Sequence, residues 1–448
     1  SQVGGLASGV PGEPAGIAAM VDRFGSMPLS AIVAPAERYA RNGVPVSEGA
    51  SRMSGAFGDQ MKRDPVMRRW FAPGADAMAV GSTLRQPELA RTLAAFGVGG
   101  HDAIYRGSIA RAIAAANRRN GGIMTAQDLA DYSVVEREPL IAERFGHRWA
   151  TAPPPSAGGF TLLQSLGVLE RLPARWRQVS DEGGYFHALA ESWKGPFIDR
   201  QRYFGDPDHV TLPLDAMRAP ERLDRLAAAF HPALAMPAGD YDLPLEGLPS
   251  SVDQPEDHGT SHLCVVDSEG NIAAVTTTVN LPFGARYTAA GIVMNDEMDD
   301  FAREVGEMNA FGLVGGAPNL PGPGKRPISS MSPTIIFRGD RPVLCLGAAG
   351  GSRIITATQQ VAMNHIVRGM NAADAISAPR IHHQGRPGEL RSETFAPLPA
   401  DVLQSLLERG HQHDPIHNVA SVQSIHIHED GHLSAACDPR KGGRPAGQ

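Results

Sequence analysis

Gly259 and Thr260 stand where an acidic loop, "PEDHG", meets the β-rich run "TSHLCVVD". A threonine hydroxyl is a poor nucleophile without a nearby base. If the peptide bond before Thr260 breaks, the new α-amino group becomes that base, with an unperturbed pKa of about 7.7–8.0. Gly259 suits the cleavage because glycine tolerates the strained backbone that brings a hydroxyl onto the preceding carbonyl. The pair predicts a self-activating nucleophile, although a Gly-Thr dipeptide also fits an ordinary turn.

Two stretches that follow Thr260 carry residues suited to positioning a substrate. The run "TTTVN" puts Thr278 and Asn280 on one face of the next predicted strand, within reach of a residue on the paired strand. The run "NDEMDDF", residues 295–301, gathers four carboxylates. Such a cluster can capture a substrate ammonium group, or it can be a solvated turn.

Two later stretches suggest sites for negative charge. "KRPISSMSPT" offers the adjacent hydroxyls of Ser329 and Ser330 on a loop. "GAAGGSRIIT" places Gly350 and Gly351 just before a predicted helix, where backbone N–H groups form a natural oxyanion site. Each pattern alone is also typical of a simple turn, so the prediction depends on their occurring together.

Other kinds of site find little support. "GPGKRP" resembles the end of a phosphate-binding loop, but Arg326 replaces the Ser or Thr that binds Mg²⁺, and Asn319 replaces the first glycine. There is no GxSxG elbow of a serine hydrolase. No carboxylate or histidine at a ligand spacing completes a metal site around the paired histidines, which we expect to be exposed. These pairs are His382-His383, His411/His413 and His426/His428.

Composition limits the classes of protein that remain. The chain of 448 residues is 42% hydrophobic and 20% charged, which is typical of a globular protein with a sizeable core. A formal charge of −7 argues against nucleic acid as a partner. No apolar run is long enough to span a membrane. The three cysteines, Cys264, Cys345 and Cys437, lie beside apolar residues, and we expect buried thiols instead of a disulfide or zinc site.

The elements that must position these residues change in character along the chain. Up to about residue 240 the pattern is mostly helical, as in Glu88–Gly97 and Ser108–Gly122, and Thr125 is a plausible helix N-cap. A Pro- and acid-rich linker follows at Pro244–Gly259. Beyond it, short apolar strands alternate with helices that end at glycine. Such strands, buried on both faces, predict a layered α/β sandwich.

Taken together, these motifs resemble the gamma-glutamyltransferase family of N-terminal-nucleophile hydrolases. The resemblance covers essentially the whole chain and includes "GTSHLCVVDSEGN", "GIVMNDEMDDF", "GKRPISSMSPT", "GAAGGSRIIT", "APPPSAGG" and "DRQRYFGDP". It implies a four-layer αββα sandwich made as an inactive precursor. It implies an enzyme without a cofactor or metal that cleaves the γ-glutamyl amide of glutathione and related compounds.

The resemblance also implies a role for each candidate residue. Thr260 is expected to be the nucleophile and its own base, and Thr278 to orient it. Asn280, Glu297 and Asp300 are expected to hold the substrate α-amino group, and Ser329 and Ser330 its α-carboxylate. Gly350 and Gly351 are expected to form the oxyanion hole. Phe301–Gly324 resembles a lid loop, with Phe311 as its aromatic gate.

Processing and location follow from the same resemblance. Self-cleavage between Gly259 and Thr260 would leave residues 1–259 and 260–448 associated as a heterodimer and intertwined in one domain. The γ-glutamyl group would then pass to water or to an amino acid or peptide acceptor. Bacterial members of the family are usually exported, so we expect a periplasmic or extracellular protein.

One departure from the family pattern concerns the start of the chain. Family members carry a further N-terminal segment with an arginine that pairs with the substrate α-carboxylate. We find no counterpart from Ser1 onward, and we expect either that the chain is a fragment or that the segment has been lost. Two other hypotheses stay open. One is another amidase on this scaffold, such as a cephalosporin or glutaryl acylase. The other is an unprocessed, non-catalytic relative that serves as a binding or structural protein.

Overall fold

The computed structural model describes residues 2–73, 77–173, 176, 181–245, 259–302 and 316–447. Its helices are α1 Glu13–Phe24, α2 Leu29–Asn42, α3 Glu48–Met61, α4 Pro65–Phe71, α5 Pro87–Tyr105, α6 Gly107–Arg119, α7 Ala126–Ala130, α8 Gly158–Arg171, α9 Glu182–Tyr203, α10 Leu214–Arg218, α11 Pro220–Ala228, α12 Arg353–Ile366, α13 Ala372–Ser377 and α14 Ala400–Glu408.

The strands are short, and most lie in the second half of the chain. They are β1 Val44–Pro45, β2 Thr83–Leu84, β3 Leu140–Arg144, β4 His147–Thr151, β5 Thr260–Val266, β6 Ile272–Thr278, β7 Thr288–Ala289, β8 Ile292–Val293, β9 Thr334–Arg338, β10 Arg341–Ala349, β11 Ile381–His382, β12 Leu390–Glu393, β13 His413–Ile416, β14 Ser421–Ile427 and β15 Leu433–Cys437.

The chain divides into two compact units, and each draws on both sides of Gly259. The first contains Ser1–Arg137 and Thr278–Asp299, and the second contains Glu138–Thr277 and Asp300–Gln448. The first unit is helical, with two small two-stranded sheets, β1–β2 and the hairpin β7–β8. Its main core packs side chains from α5 and α6 against Tyr287 and Met294.

The second unit is built on a six-stranded antiparallel sheet in the order β15-β14-β10-β9-β4-β3. Strand β10 shows why the layers form, because its side chains alternate between two buried faces. Leu344 and Leu346 join the apolar core under α8, α9 and α12. Cys345 and Gly347 face the β5–β6 hairpin instead. Helices, a sheet and a second sheet are therefore stacked, which confirms the predicted α/β sandwich class.

Most of the predicted elements are confirmed. The helix expected at Ser108–Gly122 corresponds to α6, and the one expected at Glu88–Gly97 begins as predicted but continues past Gly97 as α5 to Tyr105. Thr125 caps α7, since its hydroxyl accepts from the Asp128 N–H at 3.2 Å. The predicted hairpin after β5 turns at Asp267–Gly270, and its strands pair as β5 and β6. Most of the linker, residues 246–258, lies outside the described residues.

The expectation of three free thiols was wrong, because Cys264 and Cys345 form a disulfide. Cys264 lies on β5 and Cys345 on β10, and their Cα atoms are 6.2 Å apart. The sequence separation of 81 residues hides the pairing, since nothing local in the chain indicates that these strands stack. Cys437 remains a free cysteine, half-buried on β15.

The expectation of exposed histidine pairs was wrong for His382, His383, His411 and His426, which are all buried. Three have polar or aromatic partners that local sequence does not show. His382 lies 2.8 Å from the Thr356 hydroxyl, and the His426 ring centroid lies 3.8 Å from that of His365. His411 Nε2 lies 2.8 Å from Nδ1 of His187. His428 is exposed, as expected, and His413 is half-buried.

The disulfide predicts one accessible thiol in the denatured protein. We expect thiol titration without reductant to detect Cys437 alone, and titration after reduction to detect all three cysteines. Breaking the bond by Cys264→Ala and Cys345→Ala should lower the free energy of unfolding by ~2–4 kcal/mol. Cys437→Ala is the control, and it should abolish the signal without reductant. Three thiols before reduction would contradict the pairing.

The buried histidines predict a loss of stability in mild acid. Burial lowers the pKa of His187 and His262 to about 4 and that of His382 and His426 to about 3. The unfolded chain takes up protons below about pH 6.5 while the folded chain does not, so stability falls as the pH drops from about 6.5 toward 4.

Each such histidine contributes about 1.4 kcal/mol per pH unit within that window. We expect His426→Phe to reduce proton uptake on unfolding by about one, measured from denaturant midpoints between pH 7 and 5. His428→Asn, at an exposed position of the same hairpin, is the matched control. An unchanged pH slope in the His426 variant would contradict the assignment.

Candidate active site

Thr260 is the first residue of β5, and it is buried even though a polar linker precedes it. Its backbone carbonyl accepts a hydrogen bond from the ammonium group of Lys441, which follows β15 in the "DPRKGG" segment. Gly259, just before the strand, is half-buried. A small residue with a hydroxyl group is thus held in the interior at the start of a strand, where an apolar core side chain would be expected.

The stacking of β5 on β10 sets the position of Thr260. The His262 ring lies directly over Gly347, where any Cβ would collide with it. Two residues further along β5, Cys264 is bonded to Cys345. Moving forward along β5 therefore means moving backward along β10, so the two packed strands are antiparallel. If the same register continued for two more residues, Thr260 would lie opposite Ala349, the last residue of β10.

Gly350 and Gly351 follow directly and turn the chain into α12. Their φ angles are 143° and 57°, in the region that favours glycine. A side chain at Gly350 would also meet Ala420 at 2.8 Å. Their carbonyls accept hydrogen bonds from the first turn of α12. Arg353 N donates to the Gly350 carbonyl at 3.2 Å, and Ile354 N donates to the Gly351 carbonyl at 3.0 Å. Backbone N–H groups at such a helix start are suited to stabilising an oxyanion.

Ser329 and Ser330 are held against the loop that leads into α8. The backbones of Ser156 and Ser329 form a parallel bridge, and Ala157 N donates to the Ser329 carbonyl at 2.9 Å. A Cβ on Gly158 would collide with the Ser330 carbonyl, so the "SAGG" sequence allows the close approach. The motif "APPPSAGG" thereby fixes the two hydroxyls that sequence analysis singled out.

Arg200, near the end of α9, reaches this serine pair, and sequence analysis did not single it out. Its Nη2 donates to Ser330 Oγ at 2.9 Å, and the arginine side chain is completely buried. Burial lowers the pKa of Arg200, and the nearby Asp300 carboxylate acts to raise it. The structure therefore brings Ser330, Asp300 and a buried cation together within the second unit.

Asn319 connects the acidic and serine segments of this cluster. Its Nδ2 donates to the Asp300 carbonyl at 2.7 Å, and its Oδ1 accepts from Ile328 N at 3.2 Å. Its carbonyl accepts from Ala302 N at 3.0 Å. Asn319 belongs to the segment predicted as a lid, of which residues 303–315, including Phe311, lie outside the described residues.

Thr278, Asn280 and Glu297 belong to the first unit. Asn280 adopts a positive φ of 72°, and its N–H donates to the Thr278 hydroxyl at 2.8 Å. Its side-chain Nδ2 donates to the Asp296 carbonyl at 3.0 Å. The backbone N–H of Glu297 is bound by Asn295 Oδ1 at 3.1 Å. The strand end and the acidic run predicted from sequence are therefore neighbours.

Asp296 is distinguished from the other acids by its environment. Its carboxylate accepts from Leu281 N at 2.9 Å, and burial raises its pKa to about 7. It therefore ties the acidic run to the loop after β6, which is a structural task. The predicted ammonium ligands are two other acids of the run, Glu297 and Asp300, and that role stays a prediction.

A buried polar cluster on the other side of α9 has ligand types that suit a metal. His187, Glu191 and His411 place one ligand atom each within 4.8 Å of one another. The atoms already have partners in the described structure, since His187 bonds to His411 and Glu191 pairs with the Lys194 ammonium at 2.6 Å. The fixed positive charge of Lys194 argues for a structural hydrogen-bond cluster.

Comparison with known proteins places the chain in a family. The gamma-glutamyltranspeptidase family matches residues 1–448, and the chain belongs to it. The chain is 37% identical over 439 residues to a glutathione hydrolase proenzyme of Escherichia coli, covering 97% of this chain and 74% of that one. It is 34% identical to glutathione hydrolase 2 of Arabidopsis thaliana, over 99% and 78% of the two chains.

A solved structure shows the same fold with a different activity. Cephalosporin acylase from Bacillus halodurans superposes with a TM-score of 0.82 at 25% identity, covering 98% of this chain and 78% of that one. No helix in the described part of the chain is long and apolar enough to cross a bilayer.

Proposed function

We propose that the protein is a self-processing γ-glutamyltransferase that cleaves the γ-glutamyl amide of glutathione and related compounds. The observation that carries the proposal is the buried Thr260 at the head of β5, a strand that packs antiparallel on β10, which leads into the glycine pair. Family membership and relatives described as glutathione hydrolases support it.

The first step is an intramolecular acyl shift. The Thr260 hydroxyl attacks the Gly259 carbonyl, the Gly259–Thr260 amide breaks, and the resulting ester is hydrolysed by water. The products are residues 1–259, ending in a carboxylate, and residues 260–448, beginning with a free α-amino group. The two pieces stay together as a heterodimer, which is supported by the fact that each compact unit draws on both sides of the cleavage point.

Turnover then uses the same hydroxyl. The Thr260 α-amino group takes the hydroxyl proton as the oxygen attacks the γ-carbonyl of the substrate. The N–H groups of Gly350 and Gly351 stabilise the oxyanion, the first amine leaves, and a γ-glutamyl ester remains. Water or the amine of an amino acid or peptide acceptor attacks that ester. Thr278 is proposed to orient Thr260.

Recognition of the substrate rests on its two charged groups. Ser329 and Ser330 bind the α-carboxylate, while Asn280, Glu297 and Asp300 bind the α-ammonium. Opposite charge and hydrogen bonding to ionised groups supply the specificity. The backbone bonds that hold Ser329, Asn280 and Glu297 support this assignment, because they leave each side chain in a defined place.

Export to the periplasm or the extracellular space is the location that fits the structure best. Disulfides persist in oxidising compartments and are rare in the cytosol, so the Cys264–Cys345 bond supports a periplasmic or extracellular location. The family resemblance implies the same. Fractionation of the native host, with thiol labelling before lysis, would test it.

A cephalosporin or glutaryl acylase is the second candidate, favoured by the fold match to such an acylase. Such an acylase has less need for an amino-acid ammonium site, because a glutaryl group carries no α-ammonium. The acidic run and Asn280 therefore favour the γ-glutamyl substrate. Faster turnover of a glutaryl amide than of the matching γ-glutamyl amide would reverse the assignment.

The proposal predicts that self-cleavage and activity both depend on Thr260. We expect the purified chain, incubated overnight, to give two intact masses that correspond to cleavage between Gly259 and Thr260. Thr260→Ala should stay whole, and its turnover of a γ-glutamyl anilide should fall at least ~10³-fold, because the nucleophile is lost. Thr260→Ser keeps a hydroxyl and should still cleave.

Ser261→Ala is the matched control, since Ser261 also carries a hydroxyl but its side chain lies on the exposed face of β5. It should cleave and turn over as the wild type does. An uncleaved and inactive wild type would overturn the proposed chemistry and favour the non-catalytic relative. A cleaved and active Thr260→Ala would show that Thr260 is not the nucleophile.

A further inference from the structure

The helix α9 is buried from Gly183 to its end, and it carries five charged side chains into the interior. Four of them pair with opposite charges: Glu191 with Lys194, Asp199 with Arg222, and Arg202 with Asp242. Arg200 differs, because the hydrogen bond that it donates goes to the neutral hydroxyl of Ser330. A buried cation without an ion-pair hydrogen bond is costly, which suggests that it serves a charge brought by a ligand.

The direction of the Arg200–Ser330 bond leaves the serine proton available. A guanidinium group has donors and no acceptor, so Ser330 Oγ is the acceptor in this bond. The Ser330 O–H can then donate to another group. Donation from a cation polarises the hydroxyl, and hydrogen bonds in such a chain strengthen one another. Ser330 is therefore prepared as a donor to an anion.

The rest of the guanidinium group is uncommitted within the described part of the chain. Its Nε and Nη1 have no hydrogen-bond partner among the described residues, and both are buried. Burial lowers the pKa of Arg200 to about 10, with the Asp300 carboxylate acting in the opposite direction. The group thus keeps its positive charge at neutral pH.

The frame around the pair is rigid. Asn319 bonds to the Asp300 carbonyl at 2.7 Å and to the Ile328 N–H at 3.2 Å. Gly316 N donates to the Gln201 carbonyl at 3.1 Å, which fixes this segment on the end of α9. Ser330, Asp300 and Arg200 therefore lie on segments that hydrogen bonds join within one unit.

We propose that Arg200 is the positioning residue of the α-carboxylate subsite and acts through Ser330. It orients the Ser330 hydroxyl and gives a neutral donor the support of a fixed positive charge. The inference rests on the proposed function, and it adds a residue whose effect depends on one charged group of the substrate. Loss of Arg200 should weaken recognition of the carboxylate end and leave recognition of the ammonium end intact.

Three small ligands separate these two effects. L-Glutamate carries both groups, glutarate lacks the α-ammonium, and 4-aminobutanoate lacks the α-carboxylate. We would measure their binding by calorimetry to the wild type and to Arg200→Met, with KM and kcat for a γ-glutamyl anilide alongside. Arg200→Met should weaken glutamate and glutarate by roughly 10- to 100-fold and should not weaken 4-aminobutanoate. The loss with the anilide should appear mainly in KM.

The controls keep the test specific. Arg200→Lys retains a cation and should recover part of the loss. Arg202→Met removes a buried arginine from the same helix and should show no preference among the ligands. Ser330→Ala should produce the same ligand pattern, and adding Arg200→Met to it should cause little further loss, because the two act in one chain.

The outcomes distinguish this inference from the proposed function. Equal weakening of all three ligands, or additive losses in the double variant, would show a purely structural arginine and overturn the inference. If Arg200→Met fails to fold, circular dichroism will show it. The inference is then overturned if folded Arg200→Lys binds glutamate and glutarate no better than Ser330→Ala does. A wild type that neither binds glutamate nor turns over the anilide would overturn the proposed function itself.

Discussion

The stacking of β5 on β10 is the constraint on which the candidate site depends. The Cys264–Cys345 disulfide and the contact of His262 with Gly347 fix the register between two strands that share no hydrogen-bonded ladder. That register determines where Thr260 lies. If the chain is cleaved before Thr260, β5 becomes a chain end, and chain ends fray unless they are tied down. The disulfide lies four residues from that end and ties it to the central strand.

The candidate site also depends on a buried helix that carries charged side chains. Helix α9 is enclosed on all sides, so each of its charged residues needs a partner in the interior. Two ion pairs within this layer, Asp199–Arg222 and Arg202–Asp242, fix the helix against its neighbours. Arg200, between them in sequence, can then face Ser330 with little freedom. The same packing that stabilises the core thus sets the charge beside the serine pair.

The sequence predicts the parts of this protein that local chemistry determines. The existence of the α6 helix, the Thr125 cap and the β5–β6 hairpin follow from spacing and turn residues, and the structure confirms them. The helix end expected at Gly97 was wrong, since α5 continues to Tyr105. Family motifs single out Thr260, Ser330 and the glycine pair, whose catalytic and binding roles remain predictions. What the sequence does not show is long-range pairing. The disulfide spans 81 residues, and the buried histidines depend on partners far along the chain.

Arg200 was missed for a physical reason. It lies on a helix with no polar face, so periodicity does not distinguish an arginine that serves a site from one in an ion pair. The motif "DRQRYFGDP" contains both kinds, since Arg202 pairs with Asp242. Only the partners, a hydroxyl in one case and a carboxylate in the other, separate the two roles, and those partners come from distant segments.

The most direct test of the central claim is to trap the covalent intermediate. A γ-glutamyl anilide would be mixed with the enzyme, quenched in acid within milliseconds, and the protein mapped by peptide mass spectrometry. If Thr260 is the nucleophile, a γ-glutamyl group should appear on the peptide that begins at Thr260, and on no other peptide, while the aniline product forms. Product formation with the label on another residue, or with no label under conditions where acyl transfer is slow, would contradict it.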